Sequence, residues 1–66
     1  MDEILNEIHA ETAELIGQGE WVKDGAYRVY KVKDKYYSIL ICNPMNLEIL
    51  DDTLAEIKET DINLYI

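Results

Sequence analysis

The chain has 66 residues, and its 14 Asp and Glu against six Lys and Arg give a formal net charge of −8 at pH 7. A chain of this length makes one small domain, residues 1–66, that buries only about 60% of its unfolded surface. Its 48% apolar content excludes a disordered protein, and its negative charge opposes general binding to nucleic acid or anionic lipid and favours basic partners.

The first segment carries apolar side chains at helical spacing. They are Ile4, Leu5, Ile8, Leu15 and Ile16. Asp2 and Glu3 would occupy the first turn, where the helix dipole favours acids, and Gly17-Gln18-Gly19 resembles a C-terminal stop. We therefore predict a helix over residues 2–16.

The middle of the chain has the pattern of an antiparallel meander. Asp24-Gly25 between apolar neighbours is a strong hairpin signal. Residues 26–33 and 36–42 are rich in aromatic and β-branched types, which favour strands. A turn at Asp34-Lys35 would pair Val32 with Tyr37, so we predict a core face of Tyr30, Val32, Tyr37, Ile39 and Ile41. The opposite face is half apolar and would be partly covered or a contact surface; its apolar residues are Val22, Tyr27, Val29 and Leu40.

The last third of the chain predicts a second helix. Leu47, Leu50, Leu54 and Ile57 follow one another at 3-4-3 spacing, which is typical of a helical seam. We place this helix over residues 46–59, with Asn46 as its N-cap. Residues 61–66 alternate between polar and apolar types and would form a short terminal strand or a docked tail.

The predicted fold class is α+β, a small single domain in the order α-β-β-β-α with a short C-terminal strand left open. Its antiparallel meander would be packed by the helices. The strands followed by Asp52-Thr53-Leu54-Ala55-Glu56 resemble the strand-to-helix junction of HicB-like antitoxins. The Gly-Cys segment that precedes this junction in the family is absent here, and no function follows from the resemblance.

Carboxylates repeat the same 4-4-3 spacing on both predicted helices. We predict that these residues bind a partner: Glu3, Glu7, Glu11, Glu14, Glu48, Asp52, Glu56 and Glu59. Like charges at this spacing cost about 0.2–0.5 kcal/mol per pair, and Lys58 is the only Lys or Arg on either helix. Folding does not require such stripes, although a merely solvated acidic face is the alternative.

Charge density tests whether the stripes imitate nucleic acid. Four charges over residues 3–14 span about 16 Å of helix, roughly one per 5 Å. Duplex DNA carries one per about 1.7 Å. Mimicry therefore requires both stripes to share one surface.

The hairpin offers an alternative surface, in which bases alternate with tyrosines. Its residues are Arg28, Lys31, Lys33 and Tyr36. Such a face can stack bases and hold phosphates, although lysines also simply protect an exposed strand from edge pairing. A third interpretation joins the basic hairpin of one subunit to the acidic helix of another in a homodimer.

Residues for chemistry are few. His9 is the sole histidine and Cys42 the sole cysteine, so an internal disulfide and zinc-type spacing are both excluded. A cysteine nucleophile also needs a nearby base. We predict no catalytic residue, no metal and no cofactor. The first residues lack a signal peptide pattern and no stretch is long enough to span a membrane, so we expect a cytoplasmic protein.

The favoured function is a small acidic interaction module that docks on a basic protein surface. An inhibitor of the kind that phages encode, or a nucleic-acid mimic acting on a nucleic-acid-handling protein, is its narrower version. The second hypothesis is a homo-oligomeric structural or adaptor domain. The third is binding of RNA or a single strand through the tyrosine-rich hairpin, although direct nucleic-acid binding is disfavoured by the charge.

Overall fold

A computed structural model describes residues 2–66. The elements in chain order are helix α1 (Asp2–His9), strands β1 (Glu14–Gln18), β2 (Gly25–Val32), β3 (Lys35–Cys42) and β4 (Glu48–Ile57), and a 3₁₀ helix (Glu59–Leu64). The strands form one antiparallel sheet in the order β1-β2-β3-β4. A small α+β domain with an antiparallel meander is therefore confirmed. The order α-β-β-β-α is corrected, because four strands follow a single α-helix.

Helix α1 ends at His9, so the predicted helix over residues 2–16 is wrong in its second half. Glu11 adopts a left-handed conformation with φ of 62°, and the amide of Thr12 donates to the carbonyl oxygen of Glu7 at 2.9 Å. This geometry closes a helix, but glycine usually occupies the left-handed position. The chain then turns, and residues 14–18 pair with β2 instead of continuing the helix.

The two central strands lie where the sequence predicts them, within one residue at each end. Their turn is formed by Lys33 and Asp34, one residue earlier than predicted, and Lys33 has a φ of 58°. The preceding turn also lies one residue earlier, because Lys23 and Asp24 form it and Gly25 begins β2.

The register of β2 and β3 differs from the prediction by two residues. Val32 faces Lys35 rather than Tyr37, and Tyr37 faces Tyr30. Because side chains alternate between faces with a period of two, a slip of two residues leaves every side chain on its predicted face. All members of the predicted core face are buried. They are Tyr30, Val32, Tyr37, Ile39 and Ile41.

Residues 48–57 form a strand, so the predicted helix over residues 46–59 and its cap at Asn46 are wrong. Leu50 of β4 faces Leu40, but the next regular pair is Ala55 with Ser38, so β4 carries extra residues opposite Ile39. This bulge resets the alternation of side chains and produces the helix-like 3-4-3 spacing. The segment that resembles HicB-like antitoxins therefore lies inside a strand.

Thr53 stabilises the bulge. Its hydroxyl accepts a hydrogen bond from the amide of Leu40 at 2.8 Å and donates one to the carbonyl oxygen of Leu50 at 2.6 Å. One side chain thus satisfies two backbone groups that the interrupted ladder would leave unpaired.

Helix α1 contributes Ile8 to the core on the Tyr30 face of the sheet. Ile8 is 2% exposed and forms a buried cluster with Tyr30 and Ile39. Partly buried residues surround the cluster, namely Ile4, Leu5, Ala13, Ile49 and Leu54. Apolar residues from both sides of the β4 bulge therefore reach the core that α1 closes.

Residues 59–66, here called the C-terminal segment, pack near the opposite face of the sheet. Of the two alternatives predicted for residues 61–66, the terminal strand is wrong and the docked tail agrees with the structure. The rings of Tyr65 and Tyr27 meet edge to face at 5.2 Å. A Cβ added at Gly17 would lie 2.7 Å from Ile66 Cδ1, and one at Gly19 would overlap the carbonyl oxygen of Tyr65. The two glycines therefore permit a close approach of this segment, and they do not end a helix.

Candidate functional site

The two predicted carboxylate stripes do not form, because their helices are replaced by shorter elements. Glu3 and Glu7 lie on α1, Glu11 in the following turn, Glu14 on β1, Glu48, Asp52 and Glu56 on β4, and Glu59 at the start of the 3₁₀ helix. Strands β1 and β4 are opposite edges of the sheet, about 14 Å apart across three interstrand spacings. Glu14 is therefore separated from the acids of β4, and neither stripe is a continuous row.

A different grouping of acids emerges where α1 packs beside β4. His9 Nε2 and Asp51 Oδ1 lie 2.7 Å apart and join the two elements, and neither element carries a Lys or Arg. We call their carboxylates the α1–β4 acidic surface. Its members are all the acids of the two elements, namely Asp2, Glu3, Glu7, Glu48, Asp51, Asp52 and Glu56. Glu48, which pairs with Cys42, lies on the face of β4 that points away from α1. Five of the eight predicted partner-binding residues belong to it.

Few of these carboxylates are neutralised within the described chain. Among residues 2–66, the ion pairs are His9 with Asp51 and Lys35 Nζ with Glu56 Oε1 at 3.6 Å, all four side chains being about half exposed. Such exposed pairs contribute only about 0–1 kcal/mol each. Most of the negative charge therefore faces solvent.

Glu3 and Glu7 lie on the side of α1 that faces the β2–β3 turn. With Lys33 and Lys35 they line a shallow cleft of about 320 Å³. The mixed charges of this cleft reduce the local negative potential. Among the acids of β4, Asp51 and Glu56 are ion-paired, whereas Glu48 and Asp52 have no ion-pair partner within residues 2–66.

Cys42 and Glu48 form a polar contact at the start of β4. The thiol lies 3.7 Å from Glu48 Oε2, and the same oxygen accepts from Asn43 Nδ2 at 3.3 Å. Partial burial and the negative charges of Glu48 and Asp24 raise the pKa of the Cys42 thiol. This environment disfavours the thiolate that nucleophilic chemistry requires.

The alternative hairpin surface is divided between the two faces of the sheet. The ammonium of Lys31 lies 5.7 Å from the ring centroid of Tyr36, directly across the β2–β3 pair. Arg28 lies three residues from Lys31 on the same strand, so it faces the other side, where its Nε donates to Gln18 at 2.8 Å. Lys33 lies in the turn. The four residues do not form one continuous binding face.

The sequence predicts no site at the apolar groove, which lies on the half-apolar face of the sheet. It lies between residues 19–25 and the C-terminal segment and has a volume of about 560 Å³. Its apolar lining consists of Val22, Ala26, Tyr27, Leu40, Leu64 and Ile66. The alternation of apolar residues on β2 indicated this face, but no sequence signal indicated how completely it would be covered.

No helix within residues 2–66 is long and apolar enough to cross a membrane. No group of three or more His, Cys, Asp or Glu in the same range is arranged to hold a metal ion. In comparisons with known proteins, no family model matches the chain, and no curated protein and no solved structure matches it either.

Proposed function

We propose that this protein is a small acidic interaction module that docks on a basic protein surface. The observation that carries the proposal is the α1–β4 acidic surface, in which two adjoining elements bear seven acids and no Lys or Arg. No Asp or Glu within residues 2–66 is buried. These side chains are therefore available to a partner rather than engaged in the core.

The arrangement gives electrostatic attraction without a demanding shape. Exposed charges act over a Debye length of about 8 Å at physiological ionic strength, so several carboxylates contribute together to the field felt by an approaching protein. Such a field mainly raises the association rate and selects the sign of the partner's charge. Binding of this kind weakens as salt is added.

Imitation of duplex DNA receives less support than binding to a basic protein surface in general. The acids of β4 run from Glu48 to Glu56, at most about 26 Å of strand, which is roughly one charge per 9 Å. Duplex DNA carries one per about 1.7 Å. The narrower proposal of an inhibitor acting on a nucleic-acid-handling protein thus depends on the target's basic groove rather than on a copied phosphate spacing.

Charge reversal at matched positions tests the proposal. The first double variant, Glu3→Lys with Asp52→Lys, reverses two charges of the α1–β4 acidic surface. The second, Glu11→Lys with Glu14→Lys, makes the same change in net charge toward the β1 edge. A basic protein captured by the wild type from lysate of the source cells should bind the first variant at least tenfold more weakly. The second variant should retain most of the binding. Equal behaviour of the two variants would contradict a role for this surface.

Competition with duplex DNA separates the general proposal from its narrower version. If the captured protein handles nucleic acid, duplex DNA should displace it from the wild-type chain at low salt. A captured protein that binds DNA and the acidic chain simultaneously would exclude competitive inhibition, while leaving the docking proposal intact.

A homo-oligomeric domain is a second candidate, favoured by a separate observation. Val22 and Leu64 are 73% and 80% exposed beside the apolar groove, and exposed apolar groups of this kind favour self-association. Light scattering at micromolar protein should then show a dimer that Leu64→Ser disrupts. A monomer at this concentration would exclude this candidate.

A further inference from the structure

Backbone hydrogen bonds and an aromatic contact hold the walls of the apolar groove. The amide of Gly19 donates to Tyr27 at 2.9 Å on one wall. The amide of Ile66 donates to Ile62 at 3.1 Å on the other, and Tyr65 packs edge to face on Tyr27 across the floor. A preformed site avoids much of the ordering cost of binding.

The size and exposure of the groove suit a large side chain. Its volume of about 560 Å³ falls within the range of about 300–1,000 Å³ that is usual for binding sites. Four of its lining side chains are large, apolar and exposed by more than a third. They are Val22 at 73%, Tyr27 at 42%, Leu64 at 80% and Ile66 at 39%. The groove therefore presents an apolar surface that a partner could remove from water.

Charge indicates what kind of segment would carry that side chain. Acids outnumber bases in the two segments that reach the groove. Residues 19–25 carry Glu20 and Asp24 with Lys23, and the C-terminal segment carries Glu59 and Asp61 ahead of its lining residues 63–66. Glu20 is the charged residue of the lining itself. An apolar side chain would match the apolar lining of the groove, and flanking Lys or Arg residues would match the acids near it.

The groove and α1 lie on opposite faces of the sheet, and one acid of β4 is on the face that carries the groove. Leu40 lines the groove and pairs with Leu50 of β4. Glu48 lies two residues before Leu50 on the same face of the strand, so its carboxylate adds negative charge to the face of the sheet that carries the groove.

We propose that this groove takes one aliphatic or aromatic side chain from a Lys- or Arg-rich segment of the partner. The inference rests on the proposed function, in which the acidic surface attracts the basic protein. The groove then supplies the apolar anchor that slows dissociation, as central buried side chains do at other interfaces.

Two matched peptides test the inference. Both consist of alternating Lys and Gly, and they differ only at the centre, where one carries Trp and the other Ser. In amide NMR spectra at low salt, the Trp peptide should shift the signals of residues 19–27 and 63–66. The Ser peptide should bind at least fivefold more weakly, because it lacks the anchor.

Variants of the protein locate the anchor site. Leu64→Ser and Val22→Ser should each weaken binding of the Trp peptide at least threefold, and Met45→Ser should leave it unchanged. Met45 is 98% exposed in the β3–β4 connection and lies outside the lining of the groove, so it controls for the loss of an exposed apolar group. All three sites are exposed, and unchanged spectral dispersion confirms that each variant folds.

The outcomes separate the groove from the proposed function. Equal binding of both peptides, with shifts confined to α1 and β4, would overturn the groove while leaving the acidic module standing. Failure of both peptides at low salt would overturn the two together. Shifts in residues 19–27 that grow with protein concentration, without peptide, would identify a second copy as the occupant and refute the inference.

Discussion

Two acidic segments that look alike in sequence fold in different ways. Residues 2–16 and 46–59 share a 4-4-3 run of carboxylates and helically spaced apolar residues, yet the first gives α1 and β1 and the second gives β4. In the first segment the spacing reflects a helix whose Ile8 reaches the core. In the second, a bulge opposite Ile39 shifts the alternation of a strand. Apolar spacing alone therefore does not separate a helix from a bulged strand.

The largest expected effect tests how strongly α1 depends on the sheet. An eight-residue helix is not stable in isolation, so its stability comes from the burial of Ile8, which is 2% exposed. Ile8→Ala should lower the free energy of unfolding by about 2–5 kcal/mol in urea denaturation. If that variant fails to fold, Ile8→Val should lower it by about 0.5–1.5 kcal/mol. If Ile8→Val lowered the free energy of unfolding by less than about 0.25 kcal/mol, the packing of α1 on the sheet would be refuted.

The next effect tests why glycines follow β1. Gly19→Ala should destabilise the protein by about 1–3 kcal/mol, because the new Cβ overlaps the carbonyl oxygen of Tyr65. Gly25→Ala is the matched control, since its Cβ would meet no atom closer than 3.7 Å. Thermal unfolding of both variants measures the difference. Equal stabilities would argue against the close approach of the C-terminal segment.

A smaller effect tests the device that holds β4 as a strand. Thr53→Val removes the hydroxyl that bonds both Leu40 and Leu50 and should cost about 1–2 kcal/mol. It should also accelerate hydrogen exchange at the amide of Leu40. Thr60→Val replaces an exposed threonine in the 3₁₀ helix and should change little. Unaltered exchange at Leu40 in Thr53→Val would contradict the bulge geometry.

The smallest effect has opposite signs at two glutamates. Glu11→Gly should raise the free energy of unfolding by about 0.5–1 kcal/mol, because glycine relieves the left-handed conformation. Glu7→Gly removes the same charge within α1 and should lower it by about 1 kcal/mol. Chemical denaturation compares the two. A continuous helix over residues 2–16 would make both substitutions destabilising.

The sequence predicted the central hairpin better than the segments around it, for physical reasons. Strands β2 and β3 are rich in aromatic and β-branched residues and pair without a bulge. Their two faces could therefore be predicted even though the predicted register is wrong by two residues. The end of α1 could not be predicted, because Glu11 occupies the left-handed position that glycine usually fills after a helix. Strand β4 could not be distinguished from a helix, because its bulge gives the apolar residues a helix-like 3-4-3 spacing.

The candidate site was recoverable only in part. The large number of acids predicts that they are exposed. Which acids lie together depends on which helices and strands become neighbours in the fold. Glu14 and Asp52 were expected on equivalent helices, yet they lie on opposite edges of the sheet. The groove depends on where the C-terminal segment packs, and that is a tertiary contact which local spacing does not encode.

The order of the sheet has a consequence for how the chain folds. Each strand pairs only with a strand that is adjacent in the sequence, and β2 and β3 are joined by a two-residue turn. Closing such short loops loses little chain entropy, and a low contact order favours fast folding. We expect the β2–β3 hairpin to form in the transition state before either edge strand docks. Stopped-flow kinetics should therefore give a larger φ-value for Val32→Ala than for Leu54→Ala.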